Sequence, residues 1–355
     1  MTSVLVTGGA GRLGRSVVAA LAASGRRVVS VDRMPPATGD PSVTAGPGAR
    51  HGTGPDIRPD LGPDGVEHLV ADLSDPAAAA RIVGLVRPDE VVHLAAIAVP
   101  FSAPEHTILT TNTALAHSVI GAAVAGGATR VLVASSPTVA GYGLPSGWRP
   151  ERLPLDEDSP VAPWNAYALS KAVAEATMRM FALAAPDVHA SAFRPCYVIA
   201  PEEWLGAPTQ QGHTVRERLA DPALAAPSLF NYVDARDAGA FAVRALDAAG
   251  ETPSGETYLV GADDALATAP LSELLPRHLP LTAAAARELT GTRPAFSNAK
   301  AARLLGWRPE HSWRTALAPE SSGARGAAGP SAPGRSAPGR AAPGASAPVP
   351  APATT

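Results

Sequence analysis

An α/β fold built on a doubly wound parallel sheet is predicted by three features of this sequence. Short β-branched runs alternate with stretches of helical spacing along the first half of the chain. The runs are continuously apolar, as expected of strands covered on both faces. A glycine-rich turn joins the first strand to the first helix. Alternation of this kind is what successive β-α-β units produce.

The elements follow in order. Ser3 to Thr7 is a β-branched run, and Leu13 to Ala23 has helical spacing. Val28 to Val31 makes the second strand, closed by Asp32. Glu67 to Ala71 reads as a strand, Pro76 to Val86 as a helix, and Val91 to Leu94 as a strand. Leu109 to Ala125 is a helix and Arg130 to Ala134 a fifth strand. A helix through Lys171 to about Ala184 precedes a strand at Ala190 to Phe193, after which the pattern is less regular. Residues 1–180 are therefore expected to form a nucleotide-binding domain, and 181–317 a smaller mixed α/β region that binds substrate.

Two biased stretches fall outside this pattern. A Gly/Pro-rich loop is expected at 35–63, a length at which loops are usually functional or mobile. The tail at 318–355 carries two copies of S-A-P-G-R and almost no large apolar residue. It cannot bury enough surface to offset its ordering entropy, so disorder is expected there.

Bulk properties narrow the class. The 355 residues carry a net charge of −3 with no basic block, which argues against a nucleic-acid partner. The N-terminus lacks a charged leader before an apolar core, and no uninterrupted apolar window approaches the ~18 residues of a membrane span. One cysteine, Cys196, excludes an internal disulfide and fits a reducing compartment. A cytoplasmic protein with no membrane contact is expected. The nine histidines have no metal-ligand spacing and there is no Cys-x-x-Cys, so no metal centre is expected.

The first chemistry lies in Thr7-Gly8-Gly9-Ala10-Gly11-Arg12-Leu13-Gly14, between the first strand and helix. Gly8 permits a tight turn, Gly11 lets backbone approach a pyrophosphate, and Gly14 lets helix and strand pack closely. With Arg12 and Leu13 these residues form a cradle in which a pyrophosphate meets the free N–H groups of a helix N-terminus. About 20 residues on, Asp32 is placed to accept hydrogen bonds from ribose hydroxyls. Its charge would repel a 2′-phosphate, which favours NAD over NADP, although Arg33 could pair with that phosphate. Tyr167 and Lys171 sit four positions apart in a helical run and so share a face. An ammonium beside a phenol favours the phenolate. The plainer use of the pair is a half-buried tyrosine next to a surface lysine.

Taken together and in order, the pieces resemble the short-chain dehydrogenase/reductase superfamily. They are T-G-x-x-G-x-x-G, Asp32, Asp72-Leu73, H-L-A-A at 93–96, Ser135-Ser136 and Y-A-L-S-K at 167–171. More narrowly they are similar to its extended branch, the NAD-dependent epimerase/dehydratase family. The likeness runs from residue 2 to about 316 and includes K-A-A-R-L-L-G-W-R-P at 300–309. It implies that Tyr167 is the acid/base, that Lys171 holds the nicotinamide ribose and lowers the phenol pKa, and that Ser136 orients the reacting oxygen. It places Asp72 and Leu73 at the adenine, Ala95 and Ala96 along the cofactor, and Pro195 and Val198 beside the nicotinamide. Asn112 matches an asparagine that begins a family helix and is expected to touch the cofactor. A proton would leave a substrate hydroxyl for Tyr167 while hydride passes to the nicotinamide. A homodimer acting on a small molecule is expected.

Three departures shape the substrate reading. Pro137-Thr138 follow Ser136 where the family's dehydratases carry Asp-Glu, which disfavours 4,6-dehydration. Ala140-Gly141 stand where Tyr-Gly is usual. Tyr197 replaces the asparagine that contacts the diphosphate in many nucleotide-sugar enzymes. The leading expectation is an NAD-dependent oxidoreductase acting on a sugar-like or other small polyhydroxy substrate. The alternatives are a nucleotide-sugar epimerase with retained NAD and a non-catalytic dinucleotide sensor. Arg216, Arg218 and Arg236 are candidates for an anionic substrate group, and Trp204 and Tyr232 for the pocket wall. His93, Cys196, Asp234 and Asp237 are read as structural.

Overall fold

The computed structural model describes residues 1–35, 60–61 and 65–318. Most of the loop expected at 35–63, and the tail beyond its first residue, lie outside these. The described elements begin with β1 (Ser3–Thr7), α1 (Arg12–Ala23), β2 (Arg27–Asp32), β3 (Asp60–Leu61), β4 (Glu67–Val70), α2 (Pro76–Val86) and β5 (Glu90–His93). They continue with α3 (Glu105–Ala125), β6 (Arg130–Ala134), α4 (Ala166–Ala184), β7 (His189–Pro195), β8 (Val198–Ile199), α5 (Pro201–Trp204) and α6 (Val215–Ala220). The last are β9 (Val233–Asp234), α7 (Ala235–Asp247), β10 (Thr257–Val260), α8 (Leu271–His278), α9 (Ala299–Leu305) and α10 (Trp313–Ala316).

One sheet runs in the order β10-β7-β6-β5-β1-β2-β4-β3. Every pairing is parallel except the two-residue β3 against β4. The expected doubly wound parallel sheet is therefore present. Alternation of side chains across each strand feeds two cores, one on each face. Val4, Val6 and Val28 pack with Val17, Leu21 and Phe241 of α1 and α7. Leu5, Val29 and Val31 point the other way, against Ile82 of α2, Val119 and Ile120 of α3, and Met178 of α4. Among the described residues α3 alone has the length and apolar character to cross a membrane. It buries Ile108, Leu115, Val119 and Ile120 in the protein's own interior.

Helix ends are set by local chemistry. Asp75 accepts from Ala77 N at 3.0 Å and Pro76 opens α2, a donor-poor first turn where proline costs nothing. α3 begins at Glu105, not at Leu109 as expected. Its first turn, Glu105-His106-Thr107, is polar and lies largely outside the core, so no apolar spacing announces it. β7 and β10 belong to the same sheet as β1, so the region after residue 181 continues that sheet. Strand order reverses between β2 and β5 on either side of β1. Such a switch point opens a crevice at the carboxyl ends of the strands.

Candidate active site

A cleft of about 870 Å³ occupies that crevice. At one end, Gly8 has φ +77°, and a Cβ there would lie 2.7 Å from Ala95 N. A Cβ on Gly14 would lie 2.1 Å from Gly8 O, so only glycine lets α1 approach β1 this closely. Gly11 would meet nothing nearer than Gly8 O at 3.2 Å, leaving bare backbone toward the cleft. No side chain caps α1 and no acidic residue occupies its first turn. Arg12, Leu13 and Gly14 of that turn line the cleft, and the positive end of the helix dipole lies there. This cradle fits a pyrophosphate.

Asp32 ends β2 at the cleft, with Oδ2 accepting from Ala10 N at 3.1 Å and Oδ1 from Met34 N at 3.3 Å. Arg33 beside it is exposed and lines the same space. Asp72 accepts from Ser74 N at 2.9 Å, and this backbone bond holds its carboxyl below the usual range. Leu73, Ala95, Ala96, Pro195 and Val198 also line the cleft. Asn112 does not. Its Oδ1 accepts from Ile97 N at 2.7 Å, and its Nδ2 donates to Ile97 O and Ser170 Oγ. With both amide donors and one acceptor site taken inside the protein, it fixes the turn after β5 and is buried away from the cleft.

Further along the cleft the structure brings Ser136, Tyr167 and Lys171 together. Asn165 caps α4 by accepting from Ala168 N at 2.9 Å, and Glu105 accepts from Ala166 N at 2.7 Å. The first turn of α4, which carries Tyr167, is thereby fixed. Lys171 follows one turn later with Nζ donating to Ala134 O at 2.9 Å, 5.9 Å from the Tyr167 ring centre. Beneath them Glu175 accepts from Arg194 at 2.7 and 2.9 Å and from Ser135, tying α4 to β6 and β7.

Without cofactor, burial dominates the electrostatics of this group. The Tyr167 phenol is raised above its ordinary pKa by burial, opposed by the Ser136 hydroxyl. Lys171 is likewise buried, and its ammonium is pushed down to about 8. Burial, which a sequence does not display, outweighs the i,i+4 charge. His93 is held to about 3 by burial and then by Lys171, so it is neutral, and its Nδ1 lies 2.8 Å from Thr7 Oγ1. Cys196 lines the cleft with its thiol pushed up by burial.

The far wall contains residues the sequence did not single out. Tyr142, Trp164, Gln210, Gln211, Ser228 and Asn231 all line it. Tyr142 follows the Ala140-Gly141 pair, so a tyrosine does reach this wall from the next position but one. Glu203 of α5 pairs with Arg12 at the cradle. Trp204 and Tyr232 pack away from the cleft, the indole donating to Asp234 and the rings 5.9 Å apart. Arg236 is paired with Asp234 and Arg216 is exposed, while Arg218 is buried behind Tyr197.

Fold and cleft define a Rossmann-type α/β protein with a helix-terminus anion cradle and a Ser-Tyr-Lys group. The model of the NAD-dependent epimerase/dehydratase family matches residues 4–261, and the chain belongs to that family. It is 31% identical over 178 residues to a UDP-glucose 4-epimerase of Azospirillum brasilense, covering 50% of this chain and 43% of that one. It is 27% identical over 193 residues to UDP-glucose 4-epimerase 1 of Oryza sativa, covering 54% and 48%. The matched stretch thus spans less than half of either relative. Among solved structures, a short-chain dehydrogenase/reductase superfamily protein of Agrobacterium tumefaciens with bound NAD has TM-score 0.62 at 25% identity, over 89% and 94% of the two chains. A UDP-glucose-4-epimerase of Stenotrophomonas maltophila with NAD and formylated UDP-arabinopyranose has TM-score 0.63 at 19% identity, over 89% and 96%. At that identity the likeness is one of fold.

Proposed function

We propose that the chain is an NAD-dependent enzyme that interconverts a secondary alcohol and a ketone on a sugar-like substrate, with Tyr167 as acid/base. The observation that carries this reading is the single cleft shared by the glycine cradle and the Ser136-Tyr167-Lys171 group. Residues 1–180 then hold the cofactor, and 181–317 supply much of the substrate wall. Gly8, Gly11, Arg12, Leu13 and Gly14 would hold the pyrophosphate, Asp32 the adenosine ribose, Asp72 and Leu73 the adenine, and Lys171 the second ribose. Bound NAD would supply the two-electron acceptor and a positively charged ring.

The chain's own residues move the proton. Ser136 Oγ, already held by Thr138 Oγ1 at 2.9 Å, orients the substrate oxygen and supports its developing charge. Tyr167, protonated at neutral pH because it is buried, delivers its proton to that oxygen in the reducing direction. In the oxidising direction it must start as the phenolate, which the Lys171 ammonium in the same pocket favours, and it receives the proton of the substrate hydroxyl. Lys171 uses one donor on Ala134 O and keeps others for ribose and phenol.

A second reading is a nucleotide-sugar 4-epimerase that keeps its NAD, favoured by the names of the curated relatives. The test is a screen of free sugars, sugar acids and UDP-sugars followed by NADH absorbance. Net NADH from a free sugar or sugar acid supports the first reading. Interconversion of a UDP-sugar without net NADH moves the second to the front. No turnover of any kind sinks both.

A further inference from the structure

Arg218 on α6 is 1% exposed, yet among the described residues it forms no ion pair with a carboxylate. The other deeply buried arginine, Arg194, is matched bidentately by Glu175. Arg218 has only neutral partners. Nη1 donates to the Gln211 amide, Nη2 to Ser228 Oγ at 3.3 Å, and Nε is buried with no partner at all. Glu203, whose charge it feels, is engaged by Arg12. The guanidinium stacks 4.2 Å from the Tyr197 ring, and the Tyr197 hydroxyl is likewise buried without a partner. An uncompensated buried charge is strongly unfavourable, and structures that keep one usually have a use for it.

The surroundings say where the missing anion belongs. Tyr197, Gln211 and Ser228, the three residues touching the guanidinium, all line the cleft. Gln211 is exposed, so moving one amide opens the guanidinium to whatever occupies the cleft. Resting on the reading of Tyr167 as acid/base for a sugar-like substrate, we propose that Arg218 anchors a carboxylate of that substrate. A carboxylate is planar, carries one negative charge against the one positive charge, and matches the Nε–Nη edge of the fork. A diphosphate carries more charge than this one guanidinium balances. The substrate class is then a sugar acid, with oxidation or reduction at a carbinol carbon and the carboxylate held away from Tyr167.

The test compares sugars that differ only in this group. Calorimetric titration of the NAD-loaded full chain with D-glucuronate, D-galacturonate and their neutral parents D-glucose and D-galactose should show at least one acid bound about tenfold more tightly than its parent. Arg218→Gln should bring that ratio to about twofold or less with NAD affinity unchanged, and Arg218→Lys should fall between, keeping charge but losing the fork. Should Arg218→Gln fail to fold, the wild-type ratio and Arg218→Lys decide. Equal binding of acid and parent, no binding of either acid, or a preference that survives Arg218→Gln overturns the proposal. Micromolar binding of UDP that depends on Arg218 also overturns it, by making the anion a nucleoside diphosphate. Failure of the broader reading looks different: NADH formation insensitive to Tyr167→Phe would sink the acid/base role whatever Arg218 binds.

Discussion

The two ends of the cleft are built by different means. The cradle end is made of backbone: Gly8, Gly11 and Gly14 matter for the atoms they lack, and their spacing from Gly8 to Gly14 fixes the geometry. The far end is made of side chains drawn from Tyr142 to Asn231, on loops and short helices with no common periodicity. A backbone-built site tolerates almost no substitution and is the same wherever the pyrophosphate is the same. A side-chain-built site can be refitted one residue at a time, and Tyr197 and Arg218 are such fittings. On the proposed reading chemistry sits at the junction, where Ser136, Tyr167 and Lys171 would serve both ends.

Loss of the acid/base at the junction should therefore have the largest effect on turnover while sparing both ends. Tyr167→Phe should lower turnover by a factor on the order of 100 or more, with NAD affinity measured by calorimetry near wild type. Retained activity would remove Tyr167 from the chemistry and leave the cleft a binding site only. Gly14→Ala should strike the cradle instead. Its Cβ would sit 2.1 Å from Gly8 O and 2.7 Å from Gly9 Cα, contacts that only backbone movement relieves. NAD affinity should fall by tenfold or more, at roughly 1.4 kcal/mol per tenfold. A normal affinity would show that the cradle flexes and that the contrast between the ends is overdrawn.

The same contrast explains what the sequence revealed. Most strands from Ser3 to Ala134 were legible because their apolar runs are continuous, and the glycine loop because its spacing is itself the geometry. The two-residue β3 at Asp60–Leu61 was not, since it lies in the stretch expected as a loop. β10 is four residues long and α7 is rich in alanine with charges interspersed, so neither stood out. Asn112 was legible as a special residue but not its use, since the sequence does not show that Ile97 and Ser170 surround its amide. The three arginines 216, 218 and 236 were equivalent as letters. Only packing separates an exposed one, a paired one and a buried one lacking an anion.

Lys171→Met tests the junction through stability as well as activity. Turnover should fall, since one ammonium serves ribose and phenol. Stability of the cofactor-free protein should move the opposite way. The folded-state pKa of about 8 lies below the ordinary lysine value of 10.5, so between these values the unfolded chain binds more protons and stability rises with pH. Below pH 8 the full penalty for the buried ammonium is present, on the order of 3 kcal/mol. Removing it, less about 1 kcal/mol or more for the orphaned Ala134 carbonyl, should raise Tm at pH 7 relative to wild type. The advantage should vanish by pH 10.5. Melts at the two pH values check this, and a variant less stable than wild type at pH 7 would mean that the ammonium is better solvated than its burial implies.

The smallest effect is expected at Asp32, because the carboxylate both faces the cleft and holds the loop. Its oxygens accept from Ala10 N and Met34 N, so Asp32→Ala loses structure along with charge. Asp32→Asn keeps one of the two loop bonds and removes the charge that would repel a 2′-phosphate. With Arg33 exposed beside it, NADP should then gain on NAD by about tenfold, an amount that one removed charge near a phosphate supplies without new contacts. Titration of both cofactors into wild type and Asp32→Asn measures the change. A wild-type protein that already prefers NADP would transfer the selecting role to Arg33. An unchanged ratio in the variant would mean that the loop's shape, not the carboxylate's charge, chooses the cofactor, and the cradle end would then be backbone-built throughout.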